Sequence, residues 1–272
     1  MRTPPIKVKL LAFYICLFAT LLYSCEVWVN LDEIAENLLK IEKKALKSCL
    51  GVKASTPDDL VYLELNKADI ISTIRDRQYN FFRKFMNQTE DTAIAMNIWN
   101  LYNEQVDSTS EGMIHYFQNL EPKNKENNKE ARKGRANTSA LSMTARYREL
   151  TNLEYCDILY NSFVTEKNRT VITRWRLSCH PLHIQTGRFQ RPKLPRNERK
   201  CSICHTMEDE HHSLFICAAH TFIRARYNEL LSTYNTVPTI LHPKTIEDVE
   251  TIGKYILDIE KNMDTLKMVV KY

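Results

Sequence analysis

The chain contains 272 residues, of which 43% are hydrophobic, and its net charge is +5. This composition excludes a disordered tail and allows one large domain or two modest ones. Only 5 glycines and 9 prolines are present, and a sequence so poor in turn-forming residues favours long helices over a turn-dense sheet. We therefore expect a mainly α fold. The charge is too small to indicate a partner by itself, so its distribution along the chain has to be considered.

The N-terminal segment has two interpretations. An apolar run from Leu10 to Tyr23 follows Lys7 and Lys9, in the pattern of a signal peptide. The run is short for a membrane-spanning helix, which needs about 20 apolar residues. Membrane or secreted localisation follows only if residues 7–24 act as a targeting segment. The alternative is a buried helix that packs in one domain with the next helix, and the amphipathic sequence that follows favours this alternative.

That amphipathic sequence predicts a helix from Leu31 to Leu50, ended by Gly51. Further helices are predicted over Ile70–Met86 and over residues 92–103. The predicted apolar face of the Leu31–Leu50 helix consists of Leu31, Ile34, Leu38, Ile41, Ala45 and Cys49. The adjacent acids Asp58 and Asp59 are interpreted as residues at the N-terminus of a helix, where negative charge is favourable, and not as a catalytic pair.

The chain divides into three parts on this pattern. Residues 8–120 are predicted to form a helical, bundle-like region. Residues 121–139 are polar, contain Gly134 and are expected to be a linker or flexible loop. Residues 140–272 are expected to form a second helical region, which contains a small Cys/His module at about 188–230. Within it, residues 170–177 could be a short strand or a helix, since so short a run is ambiguous.

The helix predicted after Cys217 has an amphipathic pattern. We expect Arg224 and Arg226 to lie in water on its polar face. Its inward-facing residues are expected to be Phe222, Ile223, Tyr227 and Leu230.

Four candidate metal ligands occur in the order Cys-x2-Cys-x7-His-x4-Cys: Cys201, Cys204, His212 and Cys217. Thiolate and imidazole groups at such spacing are typical of a tetrahedral structural zinc site, which folds a small knuckle and leaves no open coordination position. The nearby His205, His211 and His220 are alternative ligands. The string CSICH also matches a c-type haem attachment sequence, but that interpretation gives Cys217 no role. The cysteines could also be reduced and free of metal.

A basic arm precedes this knuckle. Six basic residues and one acid lie between Arg188 and Lys200, and Pro192 and Pro195 stiffen the arm. Basic residues interleaved with aromatic residues are typical of contact with RNA or DNA. The alternative is a solvated linker beside core aromatic residues. The candidate nucleic-acid-binding residues are Arg174, Trp175, Arg176, Arg188, Arg191, Lys193, Arg196, Arg199 and Lys200.

Two segments resemble non-LTR, LINE-like retrotransposon reverse transcriptases. LLYSCEVW and the sequence after it, through LGVKASTPDDLVYLELNKADI, look like the region that follows the polymerase core. TRWRLSCHPLHIQTGRFQ and LPRNERKCSICHTMEDEHHSLFIC resemble the C-terminal zinc-binding-like Cys/His region of the same polyproteins. Ser24 and Val29 stand where the family usually has glycine and tryptophan. The resemblance covers most of residues 8–228 and is weak in the middle.

The resemblance implies a catalytically inactive C-terminal fragment. The polymerase palm is expected upstream of Met1, the endonuclease is missing, and no small-molecule substrate is implied. The expected partners are RNA or DNA and an intact retrotransposon polymerase, in the nucleus or cytoplasm. Two other hypotheses are a membrane-anchored or secreted helical protein and a protein interaction module in which zinc only stabilises the fold.

Overall fold

The structure is a computed structural model that describes residues 4–28, 31–86 and 125–269. Within these ranges every regular element is helical and no strand occurs, which confirms the mainly α fold class. The helix predicted over residues 92–103 lies outside the described residues, as does Val29.

The described part of the first region contains four helices. Helix α1 comprises three contiguous helical stretches, Ile6–Ala12, Phe13–Phe18 and Ala19–Leu21. It is followed by α2 (Leu31–Leu50), α3 (Asp58–Glu64) and α4 (Ile70–Met86).

The described residues between 125 and 269 contain eight further α-helices, besides short helical turns. They are α5 (Lys125–Thr138), α6 (Ser142–Thr151), α7 (Glu166–Arg176), α8 (His183–Thr186), α9 (Thr221–Arg226), α10 (Asn228–Thr233), α11 (Val237–Ile240) and α12 (Ile246–Val269). The ambiguous run at residues 170–177 is therefore helical up to Arg176.

The N-terminal apolar run packs on the helices that follow it. Phe18 and Leu22 are buried in a small cluster with Leu31 and Leu38 of α2 and Ile74 of α4. This confirms the expectation that the run and α2 pack together. No helix in the described ranges is both long enough and apolar enough to cross a lipid bilayer.

The buried face of α2 differs from the predicted one. Ile34 and Ile41 are 38% and 40% exposed, while Leu46, Leu50 and the charged Glu42 are buried. Glu42 is accommodated because its carboxylate accepts hydrogen bonds from two tyrosine hydroxyls and a backbone amide. An apolar pattern cannot reveal a buried charged residue of this kind. The predicted apolar face of α2 is therefore rotated about the helix axis relative to the observed buried face.

Helix α3 begins at the two acids that were interpreted as N-terminal helix residues. Asp58 and Asp59 both lie in its first turn. Lys43 and Lys47 pair with Asp58 at 3.0 and 2.8 Å. Arg132 donates to Asp59 at 2.7 Å. Their position in the first turn confirms the interpretation as N-terminal helix residues, and their contacts join three helices.

The polar stretch expected to be a linker contains helix α5, so the expectation of a flexible loop does not describe residues 125–138. Arg132 and Ala136 of this helix are buried. The Arg132 guanidinium pairs with Asp59 and Asp69, both at 2.7 Å, and lies 3.9 Å from the centroid of the Tyr62 ring. Charge pairing and a cation–π contact thus anchor a segment that carries few apolar side chains.

The main core cluster extends from Ile6 in α1 to Met263 in α12. The two helical regions predicted from the sequence therefore share one core. Helices α7 and α12 lie close together, since a Cβ atom added at Gly253 would be 2.3 Å from Cβ of Asn168. The indole of Trp175 donates to Glu260 across the same contact at 2.9 Å.

The helix predicted after Cys217 is divided into α9 and α10. Ile223 is buried, as expected, but Phe222 is 73% exposed, so its predicted inward position is wrong. Arg224 is half-buried and donates to the carbonyl of Ile216, whereas Arg226 is exposed and lies over the Phe222 ring. The break at Tyr227 changes which residues share a face, and a continuous helix had been assumed.

Candidate metal centre and basic surface

Cys201 and Cys204 lie in a tight turn. The backbone N–H of Cys201 donates to the carbonyl of Thr206 at 2.8 Å, and that of His205 donates to the carbonyl of Cys201 at 3.0 Å. His205 has a φ of 55°, which closes the turn. Lys200 and Met207 form an isolated antiparallel bridge at its base. Two cysteines separated by two residues thereby point to the same side.

His212 begins a helical turn of five residues, His212–Ile216, and Cys217 follows its last residue. The carboxylate of Asp209 accepts from the backbone N–H of His212 at 2.8 Å, which caps the start of the turn. At its end the backbone N–H of Cys217 donates to the carbonyl of His212 at 2.7 Å. The turn brings the imidazole and the third thiol to the Cys201–Cys204 hairpin.

The ligand atoms of all four residues lie within 4.8 Å of one another. The sulfur of Cys217 is 3.8 Å from that of Cys201 and 3.7 Å from that of Cys204. A Zn–S bond of about 2.3 Å in tetrahedral geometry puts two sulfurs about 3.8 Å apart. The spacing of the thiols therefore fits one shared zinc ion.

His212 has a ring nitrogen available for a metal. Its Nε2 atom is buried and has no hydrogen-bond partner, while Nδ1 lies 3.2 Å from the hydroxyl of Thr206. Burial lowers the pKa of this imidazole, which favours the neutral, ligating form. A metal-ligating histidine usually has such a partner on its second nitrogen.

The thiols have different environments. Burial raises the pKa of Cys217 to about 12. Burial also opposes ionisation of Cys204, but hydrogen bonds from the backbone N–H of Ala218 and from Cys217 lower its pKa overall. The group fits a structural metal centre, since a cation would offset the cost of ionising the buried thiols.

The alternative ligands lie outside this group of four. His205 and His211 are exposed, and the His211 ring lies 5.7 Å from that of Phe215. His220 is buried, with Nδ1 at 2.9 Å from the amide of Asn262. Cys201 and Cys204 face a third thiol, which is a poor match to the apolar enclosure that a haem needs.

One of the acids between Cys204 and Cys217 joins the Cys/His segment to the helical body. We had expected Glu208, Asp209 and Glu210 to lie near the ion or to face solvent, but Glu210 is fully buried. Its carboxylate pairs with Arg146 of α6 at 2.6 Å and with His180 at 2.9 Å. Despite burial, these partners lower its pKa to about 2. The Cys/His segment is therefore attached through a buried network at Glu210 that sequence spacing did not indicate.

Two of the residues predicted to bind nucleic acid are in the core. Trp175 and Arg176 have no exposed surface. Arg176 pairs with Glu64, which is also fully buried, at 2.8 Å. These two residues cannot contact a nucleic acid in this fold, and the prediction is corrected for both. Arg174, which precedes them in the sequence, is exposed because consecutive positions on a helix point in different directions.

Two other predicted arginines, Arg188 and Arg199, make hydrogen bonds within the arm and to the helical body. Arg199 donates to the carbonyls of Leu194 and Ile184 at 2.8–3.1 Å and packs on Gly187, where an added Cβ would lie 2.8 Å from Cγ of Arg199. Arg188 is half-buried and donates to Gln185 at 2.8 Å. Their hydrogen bonds hold the arm on the body.

The remaining predicted residues are basic and exposed. Arg174 lies in the last turn of α7, with Nε donating to the carbonyl of Gly51 at 2.8 Å. Lys53 lies 5.5 Å from the centroid of the Phe189 ring, a contact that sequence analysis missed because the two residues are far apart in the chain. The exposed residues of the arm itself are Arg191, Lys193, Arg196 and Lys200.

Comparisons of the chain with known protein families, with curated proteins and with solved structures find no match.

Proposed function

We propose that this chain is a catalytically inactive relative of the C-terminal part of a non-LTR retrotransposon reverse transcriptase, and that it binds RNA or DNA through a zinc-stabilised module. The observation that carries the proposal is the convergence of Cys201, Cys204, His212 and Cys217, with Nε2 of His212 buried and unpartnered. The order of the sequence phrases supports the relationship, and the exposed arm supports the ligand.

Zinc is the metal that best suits this donor set. Three thiols and an imidazole are soft or borderline ligands, and no carboxylate belongs to the group. A bound zinc ion would neutralise thiolates and join the Cys201–Cys204 hairpin to the His212–Cys217 turn. The protein's own contribution is the cap at Asp209 and the network at Glu210.

A polyanion is the partner that fits the exposed arm. The arm carries four exposed cations, and the hydrogen bond from Arg199 to the carbonyl of Ile184 holds it on the helical body. These cations are Arg191, Lys193, Arg196 and Lys200. Such cations attract phosphates and release counterions on binding, so affinity falls steeply with salt. RNA or DNA in the nucleus or cytoplasm provides that ligand, and an intact polymerase of the same kind is a second partner.

The metal proposal is tested by loading the purified full-length chain with Co²⁺, which reports thiolate ligation and tetrahedral geometry in its absorption spectrum. One Co²⁺ per chain with thiolate bands is expected, and Zn²⁺ should displace it. Cys201→Ser and Cys217→Ser should each abolish the bands. Cys16→Ser is the matched control because Cys16 is exposed and outside the group. A wild-type chain without thiolate bands would contradict the proposal.

The nucleic-acid proposal is tested by measuring binding to labelled oligonucleotides over a range of salt concentrations. Reversing two exposed charges, Arg191→Glu with Arg196→Glu, should weaken binding and reduce the slope of log K against log salt by about 1.5. The matched control is the double reversal of Lys40 and Lys44, which are exposed on α2. Unchanged affinity in the arm variant would favour the protein interaction module instead.

A further inference from the structure

Phe189 is a large apolar side chain placed where burial does not explain it. It ends the short helical turn Gly187–Phe189 and is 60% exposed. Two cationic side chains lie near its ring, and a third lies beside one of them. Lys53 lies 5.5 Å and Arg188 5.7 Å from the ring centroid, and Arg174 shares with Lys53 the lining of a cavity of about 480 Å³.

The position of Phe189 is fixed by its neighbours. The backbone N–H of Leu194 donates to the carbonyl of Gly187 at 3.2 Å, which closes the loop that carries the ring. Arg199 packs against Gly187 and binds the carbonyl of Leu194 with two nitrogens, at 3.1 and 2.9 Å. An aromatic ring held in this way loses little freedom when it meets a flat ligand.

The cations come from separate parts of the chain. Lys53 follows the end of α2, and Arg174 is joined to the same loop by its hydrogen bond to Gly51. Glu260 and Asp264 also line the cavity, and Glu260 accepts a hydrogen bond from Trp175. The cavity therefore carries both signs of charge, and its cationic side chains are Lys53 and Arg174.

We propose that Phe189 is a stacking platform for an unpaired base of a single-stranded nucleic acid, whose neighbouring phosphates contact Lys53 and Arg174. The inference rests on the proposed function and names its substrate class. Bases within a duplex have both faces covered by their neighbours, whereas unpaired bases expose a face that an aromatic ring can cover. Exposed contacts of cations with a ring are weak, so a base can displace them.

The experiment compares affinities for a single-stranded oligonucleotide and for a duplex of equal length, using the full-length metal-loaded chain. Phe189→Ala should weaken single-strand binding by about 5- to 100-fold, the usual effect of losing one stacked base. Its salt slope and duplex affinity should stay unchanged. Phe189→Tyr should retain the affinity of the wild type. Phe163→Ala is the matched control, since Phe163 is 83% exposed and precedes α7 at the end away from Arg174.

A second measurement locates the contact directly. Ultraviolet cross-linking of an oligonucleotide that contains 5-iodouracil should attach it to the peptide with Phe189. Lys53→Ala should lower the single-strand salt slope by about 0.7, the effect of one phosphate contact. If Phe189→Ala binds single strands as tightly as the wild type and its affinity still depends on salt, the stacking proposal is contradicted. Nucleic-acid binding by the basic arm would then remain supported. If the wild type binds no oligonucleotide, both proposals are overturned.

Discussion

At the scale of single residues, Arg176 and Glu64 show how a basic side chain can belong to the core. Both are fully buried, and their ion pair is 2.8 Å long. The hydroxyls of Tyr147 and Tyr160 donate to the Glu64 carboxylate at 2.8 and 2.9 Å, and Arg176 donates to the carbonyl of Leu241 at 2.8 Å. The network satisfies both charges, and a buried pair of this kind depends on each member being present.

Replacing Glu64 by Gln should destabilise the protein by about 3–5 kcal/mol, because Arg176 would remain buried without a counter-charge. Urea unfolding followed by circular dichroism measures this change. The double variant Glu64→Gln with Arg176→Met should recover part of the loss, since no uncompensated charge then remains. Glu36→Gln is the control. Both Glu36 and its partner Lys40 are exposed, so little change in stability is expected. A small effect at Glu64 would contradict the role assigned to the pair.

At the scale of elements, two glycines differ in whether the fold requires glycine at their position. Gly51 ends α2 with a φ of 71°, and a Cβ added there would lie 2.9 Å from Cγ2 of Thr170. Gly134 lies inside α5, and an added Cβ would have no heavy atom within 4 Å. The first position requires glycine because of backbone conformation and space. At the second, glycine only weakens a helix.

The same substitution should therefore have opposite effects at these positions. Gly51→Ala should lower the free energy of unfolding by about 1–3 kcal/mol through positive φ and the Thr170 contact. Gly134→Ala should raise it by up to about 1 kcal/mol, because alanine favours the helix. Thermal unfolding of the two variants beside the wild type measures both changes. A neutral result at Gly134 would indicate that α5 contributes little to the cooperative fold.

At the scale of the whole molecule, carboxylates hold α5 onto the first region. Asp69 accepts from Arg132 and from the backbone N–H of Ser72, at 2.7 and 2.8 Å. Burial alone would raise the pKa of Asp69, but these hydrogen bonds and the charge of Arg132 lower it overall. Because its pKa is lower in the folded than in the unfolded chain, ionised Asp69 stabilises the fold above about pH 5. That contribution is lost as the pH falls below about 4.

Asp69→Asn should therefore destabilise the protein at pH 7 and have a progressively smaller effect as the pH falls from about 5 to 3. Urea unfolding of the wild type and the variant at several pH values measures the difference. Asp264→Asn, at an exposed position on α12, should differ little from the wild type throughout. If the loss of unfolding free energy in Asp69→Asn stays constant down to pH 3, the shape of the side chain rather than its charge stabilises the fold at this position.

Local sequence determined much of the helical framework. Leu31–Leu50 and Ile70–Met86 have the predicted bounds because apolar periodicity, Gly51 and the polar flanks act within a few residues. The grouping of Cys201, Cys204, His212 and Cys217 was also predictable, since all lie in one short window. The exposed arm was indicated by its charge.

Tertiary structure alone decided which charged residues are buried. Arg132, Arg176 and Glu210 appear in the sequence as polar residues, and only partners from distant helices make their burial favourable. The juxtaposition of Lys53 with Phe189 likewise requires the loop after α2 to meet the arm. Local patterns fix helices and close ligand spacings because those depend on neighbours along the chain. Long-range pairing depends on packing, which composition and periodicity do not specify.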